Sequence, residues 1–296
     1  ARPDLLKAVN ALACFLTKWT KQCDRKLDRI IGYIANTLTL RQCGWVGTSS
    51  LTWQLHLFAD ADFSGCGTTQ KSTSGVYLLL ADDTSVYPLT AASKRQQCVS
   101  KSTPEAEIVA ADYALRSIGI PAMDLHEVYA SGETSMVFHE DNQATVQVIK
   151  TGRNPTMRHL GRTHNVSITW LHQFFCDENI ELQWQESKLQ AADIFTKAFT
   201  DRDLWQTCLR HINVFDSNNL LQSVTELTQQ KHELLTVARN TLPKVVLHAD
   251  LQHNEQEHAR KPHVLYQTGP LTPRKGNKRR KAKPKRLRDT VRKPTL

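Results

Sequence analysis

The run Leu57-Phe58-Ala59-Asp60-Ala61-Asp62-Phe63 ends an apolar, strand-like segment in two carboxylates, and the small residues Ser64, Gly65 and Gly67 follow directly. Residues two apart on a strand share a face, which puts Asp60 and Asp62 side by side. Like charges that close repel unless a cation lies between them, so a divalent metal is the chemistry this segment suggests. An acidic surface turn explains the same two residues without any metal. Further acids change the balance. Asp60 closes one expected strand, Glu107 lies about one turn into a helix, Asp141 closes a later strand, and Asp193 opens the last helix of the region. In a mixed sheet, strand ends and the helices packed on them converge on one cleft. Four such acids favour hard, oxygen-seeking Mg²⁺ or Mn²⁺ over zinc. Two ions roughly 3.5–4 Å apart activate a water and steady the leaving oxygen of a phosphodiester.

The elements that must position these acids are legible from periodicity. Residues 1–46 read as an antiparallel helix pair, with one stripe through Leu5, Leu6, Val9, Leu12, Leu16 and Trp19 and another through Leu27, Ile30, Ile31 and Ile34. From Leu51 the period changes to two, and runs to Asp60, over Gly75–Leu80 and over Ser85–Leu89 predict an antiparallel meander. A helix follows, capped either by Thr103 with Pro104 or by Ser102 with Glu105 in a capping box, with Ile108, Ala111, Leu115 and Ile118 on one face. Next come a strand over Ser135–His139 and a helix from Asn142 closed by Gly152. A helix over His164–Asp177, a strand over Ile180–Trp184 and a helix over Leu189–Phe199 complete the order. Three antiparallel strands feeding into βα units give an α/β fold, a mixed five-stranded sheet flanked by helices.

Composition narrows the setting. The 296 residues (33.6 kDa, 40% hydrophobic) suffice for a core of ordinary size. No apolar run reaches the roughly 20 residues that span a bilayer. The first residues, Ala1-Arg2-Pro3-Asp4, show neither a signal-peptide pattern nor an initiator Met, which points to a fragment or processed piece. The seven scattered cysteines include no Cys-x-x-Cys pair and read as reduced thiols of a cytoplasmic or nuclear protein. Of the net charge of +9, the stretch from Leu271 onward carries about +11, leaving the body near −2. That Lys- and Arg-rich tail, 271–296, is expected to be disordered and suited to nonspecific nucleic-acid contact or nuclear import. Residues 216–270 are expected to be a helical or irregular extension. Within them His248, His253, His258 and His263 recur every five residues. Five residues advance a helix by about 500°, so these histidines leave one face and do not make a zinc site.

At this point the sequence resembles a known family, the ribonuclease H domain of copia-type LTR retrotransposon Pol polyproteins. The runs that carry the resemblance are Phe58-Ala59-Asp60-Ala61-Asp62-Phe63, Lys71-Ser72-Thr73-Ser74-Gly75-Val76, Ser93-Lys94-Arg95-Gln96 and Ser102-Thr103-Pro104-Glu105-Ala106-Glu107. Further on stand Glu140-Asp141-Asn142-Gln143, Asn154-Pro155, Arg162-Thr163 and Ala192-Asp193-Ile194-Phe195-Thr196-Lys197. Their order and spacing agree from about residue 50 to 200, which defines a ribonuclease H-like domain over 47–215. Arg2-Pro3-Asp4-Leu5 resembles the segment after the reverse-transcriptase palm, making 1–46 a helical remnant of that connection; no Tyr-x-Asp-Asp polymerase site is present. The resemblance implies cleavage of the RNA strand of an RNA–DNA hybrid with two Mg²⁺ ions, Mn²⁺ substituting, alongside the reverse-transcriptase part of the same polyprotein. It implies that Asp60 bridges both ions, that Glu107 and Asp141 hold the ion on the leaving-group side, and that Asp193 holds the ion delivering water. Asp62, Glu105 and Glu140 are then capping, surface or outer carboxylates.

Two departures from the family pattern stand out. Where copia-type sequences usually show Arg-Thr-Lys-His-Ile-Asp, this chain has Arg162-Thr163-His164-Asn165-Val166-Ser167, which bears on substrate contacts. The histidine that assists product release in many cellular relatives has no counterpart between Glu186 and Ala191, which implies slow turnover. Lys94, Arg95 and Lys101, expected between the third strand and the helix, are candidates to meet the hybrid's phosphates. Ser72 and Thr73 are candidate phosphate hydrogen-bond donors. The alternative function is a retroelement-derived nucleic-acid-binding protein without catalysis; an integrase core is disfavoured because the last acid is Asp193 and no upstream His/Cys zinc module exists.

Overall fold

The computed structural model describes residues 1–47, 53–130, 134–177 and 179–220. In chain order the first elements are α1 (Leu6–Ala13), α2 (Lys21–Asn36) and a short β1 (Leu40–Gln42). Then come β2 (Gln54–Asp62), β3 (Thr73–Ala81), β4 (Val86–Arg95), α3 (Thr103–Ala114) and α4 (Ile120–Ala130). The second half holds β5 (Met136–Glu140), α5 (Gln143–Thr151), α6 (Leu160–Thr163), α7 (Ile168–Asp177), β6 (Ile180–Trp184), α8 (Arg202–His211) and β7 (Val214–Asp216). The readings for the extension and basic tail from residue 221 onward, and for the four histidines, lie outside the described residues.

The main sheet runs β4-β3-β2-β5-β6, antiparallel across β4, β3 and β2 and parallel across β2, β5 and β6. This mixed five-stranded order, with helices on its faces, is the ribonuclease H-like fold that the sequence leads one to expect. β2 shows how the pattern dictates the layers. Leu55, Leu57 and Ala59 are buried against α3 on one side, while His56 and Phe58 turn to the other. The first face packs Leu55, Leu57, Val76, Leu78, Ile108, Leu115, Met136, Phe138 and Leu171 into one core. The second packs Tyr77, Leu79, Val86, Ile194, Phe195, Leu209, Ile212 and Val214. β3 lies between them and is apolar on both sides, so it reads as a continuous hydrophobic run.

Several elements differ from the expectation, each for a local reason. The first helical stripe stops at Ala13, and Leu16 and Trp19 are exposed, because Trp19 and Thr20 adopt extended backbone before α2. Residues 40–42, expected within the helical segment, instead form β1, which pairs antiparallel with β7. The helix expected from His164 starts at Ile168: Asn165 sits in the left-handed region (φ 57°), and the Ser167 hydroxyl accepts from Trp170 N at 3.2 Å. The helix expected over 189–199 is two 3₁₀ turns, Ser187–Leu189 and Ala191–Phe195, interrupted by an extended Gln190. Lys94 and Arg95 lie on β4 itself, not in the connection after it. At the start of α3, Ser102 is the cap, its hydroxyl accepting from Glu105 N at 3.4 Å. Glu105 does not close the box; its carboxylate turns inward to His159 Nε2 at 3.1 Å and His164 Nε2 at 3.4 Å.

The N-terminal helices are fastened to the second face. Tyr33 stacks edge-on against Trp205 at 5.9 Å and donates to Asp4 at 2.8 Å, while Arg2 pairs with the buried Asp4. Lys7 Nζ reaches Asp62 Oδ2 at 2.8 Å and Thr73 Oγ1 at 3.1 Å, where β2 meets β3.

Leu57, fully buried beneath α3, carries a large share of this packing. Leu57→Ala is expected to cost about 2–5 kcal/mol of stability, whereas Val9→Ala, at an exposed site, stays within about 0.5 kcal/mol. Urea denaturation midpoints of the two variants check this.

Candidate active site

Each acid reaches the site on a different element. Asp60 is near the end of β2 and almost fully buried; Glu107 is on the first turns of α3 and equally buried. Asp141, directly after β5, is half-buried. Asp60, Glu107 and Asp141 each offer a carboxylate oxygen within 4.8 Å of the others, a spacing that fits a shared metal ion. Asp193, on the 3₁₀ turn Ala191–Phe195, joins the cluster from the other side of Asp60 through Lys197. The Lys197 ammonium stands 2.6 Å from Asp193 Oδ1 and 3.6 Å from Asp60 Oδ1. Thr196 donates its hydroxyl to Asp60 Oδ2.

The position of that turn depends on a missing side chain. Gly75 pairs with Asp60 across β2 and β3, and a Cβ there would lie 2.6 Å from Thr196 Cγ2 and 2.8 Å from the Ala192 carbonyl oxygen. The bare backbone lets the turn settle onto the sheet. Two side chains then hold it: Gln190 Nε2 donates to the Ala59 carbonyl at 3.0 Å, and the Ser93 hydroxyl donates to the Phe195 carbonyl at 2.7 Å. On the opposite flank Gln96 ties strand to helix, donating to Ser74 Oγ at 3.1 Å and to the Ala106 carbonyl at 2.9 Å, next to Glu107.

Burial without enough cations shapes the electrostatics. Desolvation raises the Asp60 carboxyl above its usual range, with Lys197 and Thr196 opposing. Glu107 is pushed well up by burial and then by the charges of Glu140, Asp60 and Asp141. Asp193 is raised to about 7 by burial and by Asp60, against the pull of Lys197. For Lys197, burial acts to lower the ammonium's pKa, but the surrounding carboxylates outweigh it and raise it. The buried Oε2 atoms of Glu107 and Glu140 have no hydrogen-bond partner among the described residues. Buried carboxylate oxygens without a donor, gathered beside other acids, make an all-oxygen donor set that fits hard divalent cations.

Asp62 shares a strand face with Asp60, but its cation is Lys7, and it stands outside the cluster. Glu140 is no surface acid. It is fully buried, accepts from Asn142 N at 3.0 Å, and is raised by burial and by Asp141 and Asp60. Ser72 and Thr73 are buried too: Ser72 Oγ accepts from Ser64 N, and Thr73 Oγ1 accepts from Lys7. That leaves them poorly placed to donate to phosphate. Lys94 and Lys101 are exposed and Arg95 half-exposed, with Lys94 Nζ 4.5 Å from the centre of the Tyr113 ring. Lys197, Thr196, Gln190 and Gly75 went unassigned; the Thr-Lys following Asp193 was visible only as part of a motif.

No family model matches the chain. The retrovirus-related Pol polyprotein of transposon RE1 from Arabidopsis thaliana is 34% identical over 106 residues, 36% of this chain and 7% of that protein. The corresponding polyprotein of transposon TNT 1-94 from Nicotiana tabacum is 26% identical over 208 residues, 70% of this chain and 15% of the relative. The chain is homologous to the Pol polyproteins of copia-type transposons. It spans between 7% and 15% of the length of these two relatives. Among solved structures, LC11 ribonuclease H1 in complex with an RNA/DNA hybrid overlaps 48% of this chain and 94% of its own, at 13% identity and a TM-score of 0.34. Prototype foamy virus protease–reverse transcriptase overlaps 62% of this chain and 22% of its own, at 11% identity and a TM-score of 0.31. Strand order and pairing, not these distant overlaps, define the fold of this Pol relative.

Gly75→Ala is expected to push the 191–196 turn off β3 at a cost of about 1–3 kcal/mol and to separate Asp193 from Asp60. Thermal melting and the loss of divalent-ion stabilisation together check it. Asp193 also gives a pH signature in metal-free protein. Its folded pKa, about 7, lies above the ordinary value of 3.8, so its contribution to stability is present below about pH 4 and lost as pH rises through about 7. Asp193→Asn is expected to remove that part of the pH dependence, read as melting temperature against pH in a chelator.

Proposed function

We propose that this Pol-derived chain is a ribonuclease H, a metal-dependent endonuclease that cuts the RNA strand of an RNA–DNA hybrid during reverse transcription. The observation that carries this reading is the convergence of Asp60, Glu107 and Asp141 within 4.8 Å at one rim of the sheet, with Asp193 joined to Asp60 through Lys197. The similarity to Pol polyproteins supports this setting.

In this reading Asp60, Glu107 and Asp141 would hold a Mg²⁺ ion on the leaving-group side, and Asp60 with Asp193 would hold a second on the water side. The ions supply a lowered pKa for the attacking water and charge neutralisation at the phosphodiester. What the chain itself does is positional. α3 and β5 fix the facing carboxylates, and the pinned turn brings the fourth acid to within reach of Asp60. Burial of Asp60 and Glu107 keeps bulk water from competing for their oxygens. Lys94 and Lys101 are exposed and Arg95 half-exposed, and in this reading they meet the hybrid's phosphates and fix its register without reading sequence. The partner in the cell is the reverse-transcriptase part of the same polyprotein.

A labelled RNA–DNA hybrid incubated with the protein and Mg²⁺ tests this. Cleavage is expected in the RNA strand only, abolished by chelator, and reduced at least about 10³-fold in Asp60→Asn. Cleavage that survives Asp60→Asn would place the chemistry elsewhere. Hybrid binding by wild type without any cleavage would support the silent nucleic-acid-binding alternative.

A further inference from the structure

The two sides of the acid cluster are not alike. On one side Asp60, Glu107 and Asp141 converge, neither Glu107 nor Asp141 has an ion pair within 4.0 Å among the described residues, and Glu107 Oε2 has no hydrogen-bond partner there. On the other side the space between Asp60 and Asp193 already holds a positive charge, the Lys197 ammonium, at 3.6 Å and 2.6 Å. Lys197 is not there by accident of a floppy chain. The same turn is anchored by Gln190, by Ser93 and by Thr196, whose hydroxyl contacts the very carboxylate that Lys197 approaches.

We propose that Lys197 is a built-in counter-cation that occupies the Asp60–Asp193 position and must be displaced by the second divalent ion, so that the two ions load in order and with unequal affinity. This rests on the reading that the carboxylates take divalent cations. The physical argument is one of charge. A first ion between Asp60, Glu107 and Asp141 meets the Lys197 ammonium only across Asp60, at 3.6 Å, and gains the attraction of three carboxylates. A second ion between Asp60 and Asp193 gains only what remains after the ammonium has been moved a few ångströms out, toward solvent that its half-exposed side chain already meets. The lysine thereby holds Asp60 and Asp193 together while the site is empty, and makes full loading depend on high divalent concentration or on a substrate phosphate that offers the displaced ammonium a new partner.

Isothermal titration of the full chain with Mg²⁺ and with Mn²⁺, without nucleic acid, tests it. Wild type is expected to bind two ions, the second at least about tenfold more weakly. In Lys197→Met the second event is expected to tighten about tenfold, more than the first, so that the gap narrows, and Lys197→Arg, which keeps the charge, is expected to retain the gap. Melting in chelator gives a second readout: Lys197→Met is expected to melt lower than wild type, and to gain more from added Mg²⁺. Two equal sites in wild type overturn the proposal without recourse to any variant. So does an unchanged or weakened second site in a folded Lys197→Met; both results leave the nuclease reading standing. Absence of any ion binding sensitive to Asp60→Asn overturns that reading, and this one with it.

Discussion

Repulsion among buried carboxylates is the constraint around which this molecule is built. Asp60, Glu107 and Glu140 sit where water scarcely reaches, and Asp141 and Asp193 crowd them from two sides. Such an arrangement costs stability in any protein that only needs to fold. It persists because the rest of the structure outweighs it: two apolar layers on either face of a five-stranded sheet, and one lysine drawn into the cluster. Acids held apart from water, short of cations and near one another are the donor set that a divalent cation would take.

The scaffold achieves this through small devices. A glycine opposite Asp60 removes the one side chain that would keep the 191–196 turn away, and two amide side chains, Gln190 and Gln96, lock the turn and the helix to the sheet on opposite flanks. The N-terminal helices add a third clamp. Lys7 satisfies Asp62, so the second carboxylate of β2 is neutralised by its own partner and leaves Asp60 to serve the cluster alone.

Much of this was legible in the order of residues. Alternation over Leu55–Ala59 and the 3.6-residue stripe of α3 placed Asp60 and Glu107 on neighbouring elements, and the strand order followed from three close-spaced strands leading into βα units. What was hidden is instructive. No local signal told that Gln190 would trade helical backbone for a hydrogen bond to Ala59, so the helix expected there became two tight turns. Glu140 reads as one more acid before a helix; only tertiary packing buries it. Ser72 and Thr73 look like exposed turn residues, yet the β2–β3 junction and Lys7 enclose them. Lys197 is the clearest case, since its role arises from two carboxylates that lie 4 and 137 residues away. Periodicity reports which face a residue takes. It is silent on which charges will meet there.

The most direct test is to see where a divalent ion goes. Crystals of the full chain soaked in Mn²⁺ and measured at the manganese edge are predicted to show anomalous density between the carboxylates of Asp60, Glu107 and Asp141, gone in Asp60→Asn. Manganese found only at surface acids, with that pocket of oxygens empty at saturating ion, would contradict the account.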